Sequence, residues 1–234
     1  MPKLIFITLL SFLVITKPVD LPDSKRASDV RTTLWPRLQA ELSERGFDSN
    51  YHIYLRIFKQ TDQFEVWAKR GAKYALFKSY DICYFSGGLG TKTKQGDGKS
   101  PEGFYTITAK QLNPASNYHL AINIGYPNQL EQQKGYTGSA IMVHGHCASI
   151  GCYAMTDARI EEIYTLVYKA LNAGQDKISL DIFPFYMDDY HMQANAASPS
   201  LQFWRTIKPG YDLFERNRVP AVGRVVGKQY AFAN

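Results

Sequence analysis

The sequence predicts a mostly β domain with flanking helices, an α+β fold class, from three observations. Short segments at residues 51–58, 64–68 and 73–84 are rich in aromatic and branched side chains, partly alternate, and are bounded by polar or glycine residues. Such segments are typical of consecutive antiparallel strands. Residues 28–46 and 156–173 instead repeat apolar side chains at helical spacing. The 234 residues are 45% hydrophobic and contain no repeat or biased tract, which indicates one sizeable core and excludes disordered and solenoid proteins.

The N-terminal residues 1–19 are predicted to be a signal peptide or an N-terminal anchor. Residues 4–16 form an uncharged apolar run between Lys3 and Lys17. That run is shorter than the roughly 20 residues of a membrane span but suits the apolar region of an export signal. No pair of small residues marks a cleavage site, so retention as an anchor stays open, and a buried N-terminal strand or helix is the alternative.

Export would place the chain in an oxidising compartment, where cysteines pair. The chain has three cysteines, Cys83, Cys147 and Cys152, so one thiol is left over. An unpaired thiol there is either buried and inert or retained for its chemistry.

Residues 20–48 are predicted to contain a helix, with Ser28 or Asp29 as its cap and Gly46 as its end. Pro36 favours a start near Trp35, since proline belongs in a first helical turn. The apolar face recurs at every fourth position, at Val30, Leu34, Leu38 and Leu42.

The predicted strands of residues 49–186 are interrupted by a long loop at residues 87–103, which holds six glycines and almost no apolar side chains. We expect this loop to be exposed. It is not a phosphate-binding loop, because Thr93 stands where the first glycine of that motif belongs and a strand follows instead of a helix. Further strands are predicted at residues 104–109, 119–124, 140–143 and 178–183, and residues 187–234 are expected to pack on this domain as an extension of short helices and loops.

The chemistry is concentrated in residues 140–157, AIMVHGHCASIGCYAMTD. A strand delivers His144 at its end, and a short glycine-flanked turn then presents Cys152 before a helix. A neighbouring imidazole that accepts the thiol proton makes a cysteine nucleophile available. Gly151 leaves room for a substrate carbonyl, backbone N–H groups around it can stabilise an oxyanion, and Ser149 can hydrogen-bond the substrate or the loop.

The residue types and their spacing also allow other interpretations of this segment. Cys147 and Cys152 could form a local disulfide, or His144 and His146 could join both cysteines in a zinc cluster, although the spacing matches no common zinc motif. A coincidence of cysteine and histidine is the third alternative. Three tyrosines are further candidates for the cleft, although aromatic residues of strands more often belong to the core: Tyr118, Tyr136 and Tyr153.

The distribution of charged residues bears on whether the protein binds nucleic acid. The net charge is +6, but the basic residues are scattered singly or in pairs instead of forming basic runs. This distribution argues against nucleic-acid binding.

The His144-Gly145 pair, followed by SIGCYAM at residues 149–155, resembles the signature of the YkuD-type L,D-transpeptidases. Residues 96–107, GDGKSPEGFYTI, resemble the segment that precedes a central strand in these enzymes. The compact histidine-to-cysteine segment, the DIFPF end of a strand at 181–185, and the FW and KPGY motifs after residue 202 are similar to the YafK-type branch. The resemblance runs from about residue 30 to residue 226. Ala154 departs from the family, in which most members carry arginine.

The resemblance implies a β-sandwich or barrel-like catalytic domain at residues 49–186 with a C-terminal helical extension. It also implies a peptidoglycan enzyme of the periplasm or cell envelope, acting on stem peptides that contain meso-diaminopimelate and needing no cofactor or metal. Cys152 would be the nucleophile and His144 the general base and acid, with Gly145, Ser149 and Gly151 at oxyanion or substrate-positioning places. The acyl acceptor would be an amine or water, and in the YafK-type branch the expected reaction is an amidase that releases a peptidoglycan-bound lipoprotein. A non-catalytic peptidoglycan-binding module is the alternative.

Overall fold

The computed structural model describes residues 20–232, and the predicted signal at residues 1–19 lies outside this range. The helices are α1 Lys25–Glu44, α2 Gln129–Gln133, α3 Asp157–Asn172, α4 Asp189–Ala194 and α5 Leu201–Asn217. The strands are β1 Ile53–Phe58, β2 Gln63–Arg70, β3 Lys73–Asp81, β4 Gly103–Ile107, β5 Leu112–Asn113, β6 Ala121–Asn123, β7 Met142–His144, β8 Tyr153–Ala154, β9 Ile178–Phe183, β10 Gly223–Val226 and β11 Gln229–Phe232.

The strands form two main sheets and one hairpin. The larger sheet has the order β3-β2-β1-β9-β4, and its first three members are the antiparallel meander that the sequence predicts. Strand β9 pairs parallel to β1 and antiparallel to β4. The smaller sheet has the order β5-β6-β7-β8, and β10 and β11 form the separate hairpin. The α+β class and the predicted strand at 178–183 are therefore confirmed.

The main hydrophobic core lies between the two sheets and helices α1 and α3. Alternate residues of β1 and β9, such as Leu55 and Leu180, face this core together with Val143 of the smaller sheet and Ile163 of α3. The opposite face of the larger sheet carries a second cluster that includes Phe58, Phe183 and residues of α5. The larger sheet is therefore covered on both faces, as its run of buried residues in β1 requires.

Helix α1 begins at Lys25, ten residues before the start that Pro36 favours, so the predicted caps Ser28 and Asp29 lie inside the helix. Ser24 Oγ accepts a hydrogen bond from Ala27 N–H at 3.1 Å and caps the helix, and Pro36 lies inside it. Proline disfavours a helix interior by about 3 kcal/mol. Burial of Leu38 and Leu42 in the core offsets this cost, so the helix continues through Pro36. Gly46, with φ +69°, follows the end of the helix as predicted.

The loop at residues 87–103 is only partly exposed, which corrects the prediction. Its second half carries Ser100 and Glu102, both fully buried. Lys59, at the end of the β1 strand, is also buried, and its ammonium group donates to Gly90 O at 2.9 Å, Ser100 O at 3.0 Å and Glu102 Oε1 at 3.0 Å. A buried cation needs such acceptors, so the loop is drawn under the surface around Lys59.

The C-terminal extension contains more regular structure than expected, with the 17-residue helix α5 and the β10–β11 hairpin. Gly210 of α5 packs against the rings of Phe104 and Phe232, where a Cβ atom would lie 2.5 Å from Phe104 Cζ. The extension is thereby fixed to the larger sheet. Within residues 20–232, no helix has the length and apolar character to span a bilayer.

Candidate active site

The smaller sheet brings His144 and Cys152 to one cavity. His144 ends β7, and Cys152 immediately precedes β8, which pairs parallel to β7 through Val143 and Tyr153. Both side chains line a cavity of about 370 Å³ together with Tyr118 and the turn between them. The register places His144 opposite Ala154, so Cys152 lies two residues away along the neighbouring strand. The two groups therefore reach one cavity from adjacent parallel strands.

The His144 imidazole is held in one tautomer. Its Nδ1–H donates to Gly145 O at 2.6 Å, which leaves Nε2 as the unprotonated nitrogen of the neutral ring. The Tyr118 ring packs against the imidazole with 4.6 Å between ring centroids. Burial lowers the pKa of His144, although the bond to Gly145 O opposes this effect. The ring is therefore neutral at neutral pH and able to accept a proton.

The Cys152 thiol lies against the backbone of the strand that carries His144. Met142 N–H donates to Sγ at 3.3 Å, and the thiol donates to Ala140 O at 3.6 Å. Burial raises the pKa of the Cys152 thiol, although hydrogen bonds from Met142 and Ser149 act in the opposite direction. Among the described residues, no hydrogen bond joins Sγ to His144. The arrangement is therefore a neutral thiol and a neutral base that line the same cavity.

Ser149 and Gly151 shape the turn that holds Cys152. Ser149 Oγ donates to Cys152 O at 2.9 Å, so in this structure it supports the loop, one of the two expectations. Gly151 N–H donates to Ser86 Oγ at 2.7 Å. Gly151 has φ +102°, a conformation that residues with side chains rarely adopt. The need for glycine here therefore comes from the backbone of the turn.

Gly145 is required by close packing. A Cβ atom at this position would lie 2.6 Å from Asp157 Oδ1 and 2.8 Å from Tyr118 O. Gly145 N–H donates to Tyr118 O at 3.0 Å and to Leu120 O at 3.1 Å. The glycine therefore lets the segment with Tyr118 approach the end of β7 and place its ring on His144.

The cysteine alternatives are resolved by a disulfide between Cys83 and Cys147, with 5.4 Å between their Cα atoms. Cys152 is the free cysteine. The hypothesis of a local disulfide between Cys147 and Cys152 is therefore wrong. The proposed zinc cluster of four residues is wrong as well, because Cys147 is in a disulfide and cannot bind zinc as a thiolate. No cluster of three or more metal-ligating side chains is found within residues 20–232.

A buried hydrogen-bond network connects the turn to the C-terminal extension, and the sequence analysis missed it. Ser100 Oγ donates to Cys152 O at 3.4 Å, while Ser100 O accepts from Lys59. Glu102 Oε2 accepts from the indole N–H of Trp204 at 2.8 Å. We call Lys59, Ser100, Glu102 and Trp204 the support network. Lys59, the Ser100–Glu102 segment and Trp204 lie far apart in the chain, so their spacing does not predict that they meet.

The cavity contains one of the three candidate tyrosines and one aliphatic residue that the sequence analysis did not select. Tyr118 lies at the cavity and packs on His144, whereas Tyr153 is fully buried and Tyr136 packs on the main core. Ile150 also lines the cavity and is 85% exposed, which is unusual for a large aliphatic side chain. The cavity rim is therefore partly apolar.

Comparison with known proteins identifies the family to which the chain is similar. The family model of the YkuD L,D-transpeptidase catalytic domain matches residues 53–178. An Escherichia coli K12 protein named "Putative L,D-transpeptidase YafK" is 47% identical over 178 residues, which cover 76% of this chain and 72% of the relative.

Two solved structures are also similar to this chain. The helical cell shape determining protein Pgp2 of Campylobacter jejuni has a TM-score of 0.45 at 18% identity, covering 80% of this chain and 79% of that chain. The Bdellovibrio bacteriovorus protein Bd1075 has a TM-score of 0.40 at 19% identity, covering 60% of this chain and 50% of that chain. Because the family model spans more than half of the sequence and the E. coli relative extends the match, the chain belongs to the YkuD L,D-transpeptidase catalytic domain family.

Proposed function

We propose that this protein is a cysteine-dependent acyl transferase that modifies peptidoglycan, with Cys152 as nucleophile and His144 as general base and acid. The observation that carries the proposal is the shared cavity, in which a free thiol and an imidazole with an unprotonated Nε2 are presented by adjacent strands. Membership in the L,D-transpeptidase family supports the substrate class, stem peptides that contain meso-diaminopimelate.

In the first step, His144 Nε2 takes the thiol proton, and Cys152 Sγ attacks the carbonyl carbon at the L-centre of diaminopimelate. The C–N bond breaks, the leaving amine takes the proton from His144, and a thioester remains on Cys152. In the second step, an amine or water attacks the thioester while His144 accepts its proton. The C–S bond breaks, and the proton returns to the thiolate.

The oxyanion of each tetrahedral intermediate needs hydrogen-bond donors. Gly151 N–H is bonded to Ser86 Oγ, so it serves the oxyanion only if the substrate displaces that hydroxyl. Among the described residues, Cys152 N–H has no hydrogen-bond partner and is the more available donor of the two. We assign Gly145, Ser149 and Gly151 to the positioning of the site, through the contacts described above.

The acceptor determines the name of the reaction. Transfer to a diaminopimelate amine is a cross-linking reaction, and transfer to a lipoprotein lysine attaches that protein. Transfer to water is hydrolysis, which includes amidase release of a peptidoglycan-bound lipoprotein. We propose that the protein is exported to the periplasm or cell envelope, where these substrates are found.

The test is mass spectrometry of the protein and of the products after incubation with diaminopimelate muropeptides. The full chain is compared with Cys152→Ala and with His144→Ala. We expect an acyl adduct and products that require Cys152, and severely slowed turnover without His144. Amine-transfer products identify a transpeptidase, and water-cleaved products alone identify a hydrolase.

The second candidate function is a non-catalytic peptidoglycan-binding module. The raised pKa of Cys152 and the missing Sγ–imidazole bond are the observations that favour it. Binding of muropeptides without adduct or product, equal in the wild type and in Cys152→Ala, would replace the catalytic proposal by this one.

A further inference from the structure

A second cavity, which we call the hairpin cleft, shares no lining residue with the candidate active site. It has a volume of about 620 Å³ and lies between β4 and β9 of the larger sheet, the segment that leads into α2, and the C-terminal hairpin. Nothing in the proposed acyl transfer uses it.

The floor of the hairpin cleft is polar. Thr106 of β4 and Ser179 of β9 lie directly opposite each other in the sheet, and both line the cleft. Their hydroxyl groups have no hydrogen-bond partner among residues 20–232. Cross-strand neighbours of this kind lie about 5 Å apart, so they present two hydroxyls to one small ligand.

A buried carboxyl adds a third polar group. Asp181 is 2% exposed, and Asp181 Oδ2 accepts a hydrogen bond from Tyr54 O–H at 2.5 Å. Its Oδ1 atom has no partner in the described part of the chain, although Asp181 lines the cleft. This oxygen is not among the fully buried unpaired atoms of the described residues, so it is accessible from the cleft and can accept a hydrogen bond from a ligand. Burial raises the pKa of Asp181 to about 7, so this carboxyl is partly protonated at neutral pH and can also donate a hydrogen bond.

The walls of the cleft carry little net charge. Lys177 and Asp181 are its only charged lining residues within the described part of the chain, and they are opposite in sign. The remaining polar side chains include the neutral amides of Gln111 and Gln129. The rings of Phe104 and Tyr230 supply apolar wall, with 4.9 Å between their centroids. Neutral donors and acceptors beside aromatic rings suit a ligand with many hydroxyl groups and apolar C–H faces.

The free edge of β4 is not open to an added peptide strand at Phe104. Asn128 Nδ2 donates to Phe104 O at 3.2 Å, and Phe104 N–H donates to Tyr230 O–H at 3.5 Å. These side chains occupy the backbone groups that strand addition would use. The cleft is therefore suited to recognition through its side chains.

The hairpin cleft adjoins the candidate active site through the smaller sheet. Ile124, which lines the cleft, donates its N–H to Ile141 O at 3.0 Å. The residues on either side of Ile141, Ala140 and Met142, line the cavity with Cys152. The linings of the two cavities are therefore joined at this point by one backbone hydrogen bond between neighbouring segments.

We propose that the hairpin cleft binds a neutral oligosaccharide through the hydroxyls of Thr106 and Ser179, the Asp181 carboxyl and the adjoining aromatic wall. This inference extends the proposed function, because the sugar would be the glycan part of the peptidoglycan whose stem peptide enters the site of Cys152. The cleft residues act on affinity and leave the acyl-transfer chemistry to Cys152 and His144.

The test uses the full chain carrying Cys152→Ala and a peptide-free probe, an oligomer of N-acetylglucosamine, in isothermal titration calorimetry. The cleft variant adds Thr106→Ala and Ser179→Ala, and the matched control adds Thr32→Ala and Thr33→Ala on the exposed surface of α1. We expect binding at millimolar or lower concentration, at least fivefold weaker in the cleft variant, because two hydroxyls that can hydrogen-bond the sugar are lost. Circular dichroism checks that all three proteins are folded.

A second readout separates this inference from the proposed function. For this readout the two cleft substitutions are made in the protein that retains Cys152. We expect a higher KM for glycan-linked substrate, with kcat and the turnover of free stem peptide unchanged. The inference is overturned if the oligosaccharide does not bind, if the cleft variant binds it as well as the control, or if only a peptide occupies the cleft. Sugar binding in the absence of Cys152-dependent products would support the sugar site in the hairpin cleft and refute the acyl-transfer proposal.

Discussion

The disulfide between Cys83 and Cys147 offers a quantitative test of the fold around the site. It closes a loop with a sequence separation of 64 residues. In the chain-entropy description, closing a loop of this length removes about 14 cal/mol/K from the unfolded ensemble, which corresponds to about 4 kcal/mol at 25 °C. The Cys83→Ser/Cys147→Ser variant should therefore lose about 4 kcal/mol of unfolding free energy.

The measurement is urea denaturation followed by tryptophan fluorescence, in a Cys152→Ala background that prevents thiol exchange. Cys147 is exposed, so reduction of the Cys152→Ala protein should bring its midpoint to that of the serine variant, whereas reductant should not affect the serine variant itself. A loss below about 1 kcal/mol, or free thiols at both positions in the unreduced denatured protein, would refute the reasoning.

Three further predictions follow from the site. Trp204→Phe removes the indole bond to the buried Glu102 carboxylate and should lower unfolding free energy by about 1.5–3 kcal/mol in urea; no change would contradict the support network. Because burial raises the pKa of Cys152, its iodoacetamide alkylation rate should rise continuously with pH through the ordinary thiol range; a plateau at acidic pH would indicate a thiolate paired with imidazolium. Gly145→Ala should cost about 1–3 kcal/mol by crowding Tyr118 O, and an unchanged melting temperature would show that the strand end relaxes freely.

The sequence predicts those parts of the fold that local patterns specify. The three-strand meander and the strand at 178–183 follow from alternation and branched residues over short runs. Helix α3 follows from its apolar period between Thr156 and Ala173. The start of α1 does not follow, because tertiary burial of Leu38 and Leu42 tolerates Pro36 within the helix.

Within the candidate site, the sequence predicts contacts between residues that are close in the chain but not those between distant residues. His144 and Cys152 lie eight residues apart, so their approach at the ends of adjacent strands can be inferred from the chain. The partner of Cys147 is 64 residues away, and spacing alone does not select it. The buried position of Glu102 has no local signal either, since glycines and charges around it are typical of an exposed loop.

The support network has a consequence for the order in which the protein matures. Lys59, Glu102 and Trp204 meet in one buried cluster beneath the turn of Cys152, yet they come from the first, middle and last parts of the chain. During synthesis from the N-terminus, the turn of Cys152 emerges more than 50 residues before Trp204. The emerging chain therefore lacks the finished support of the Cys152 turn until α5 docks. If Cys152 is the proposed nucleophile, its activity depends on the folding of this late segment.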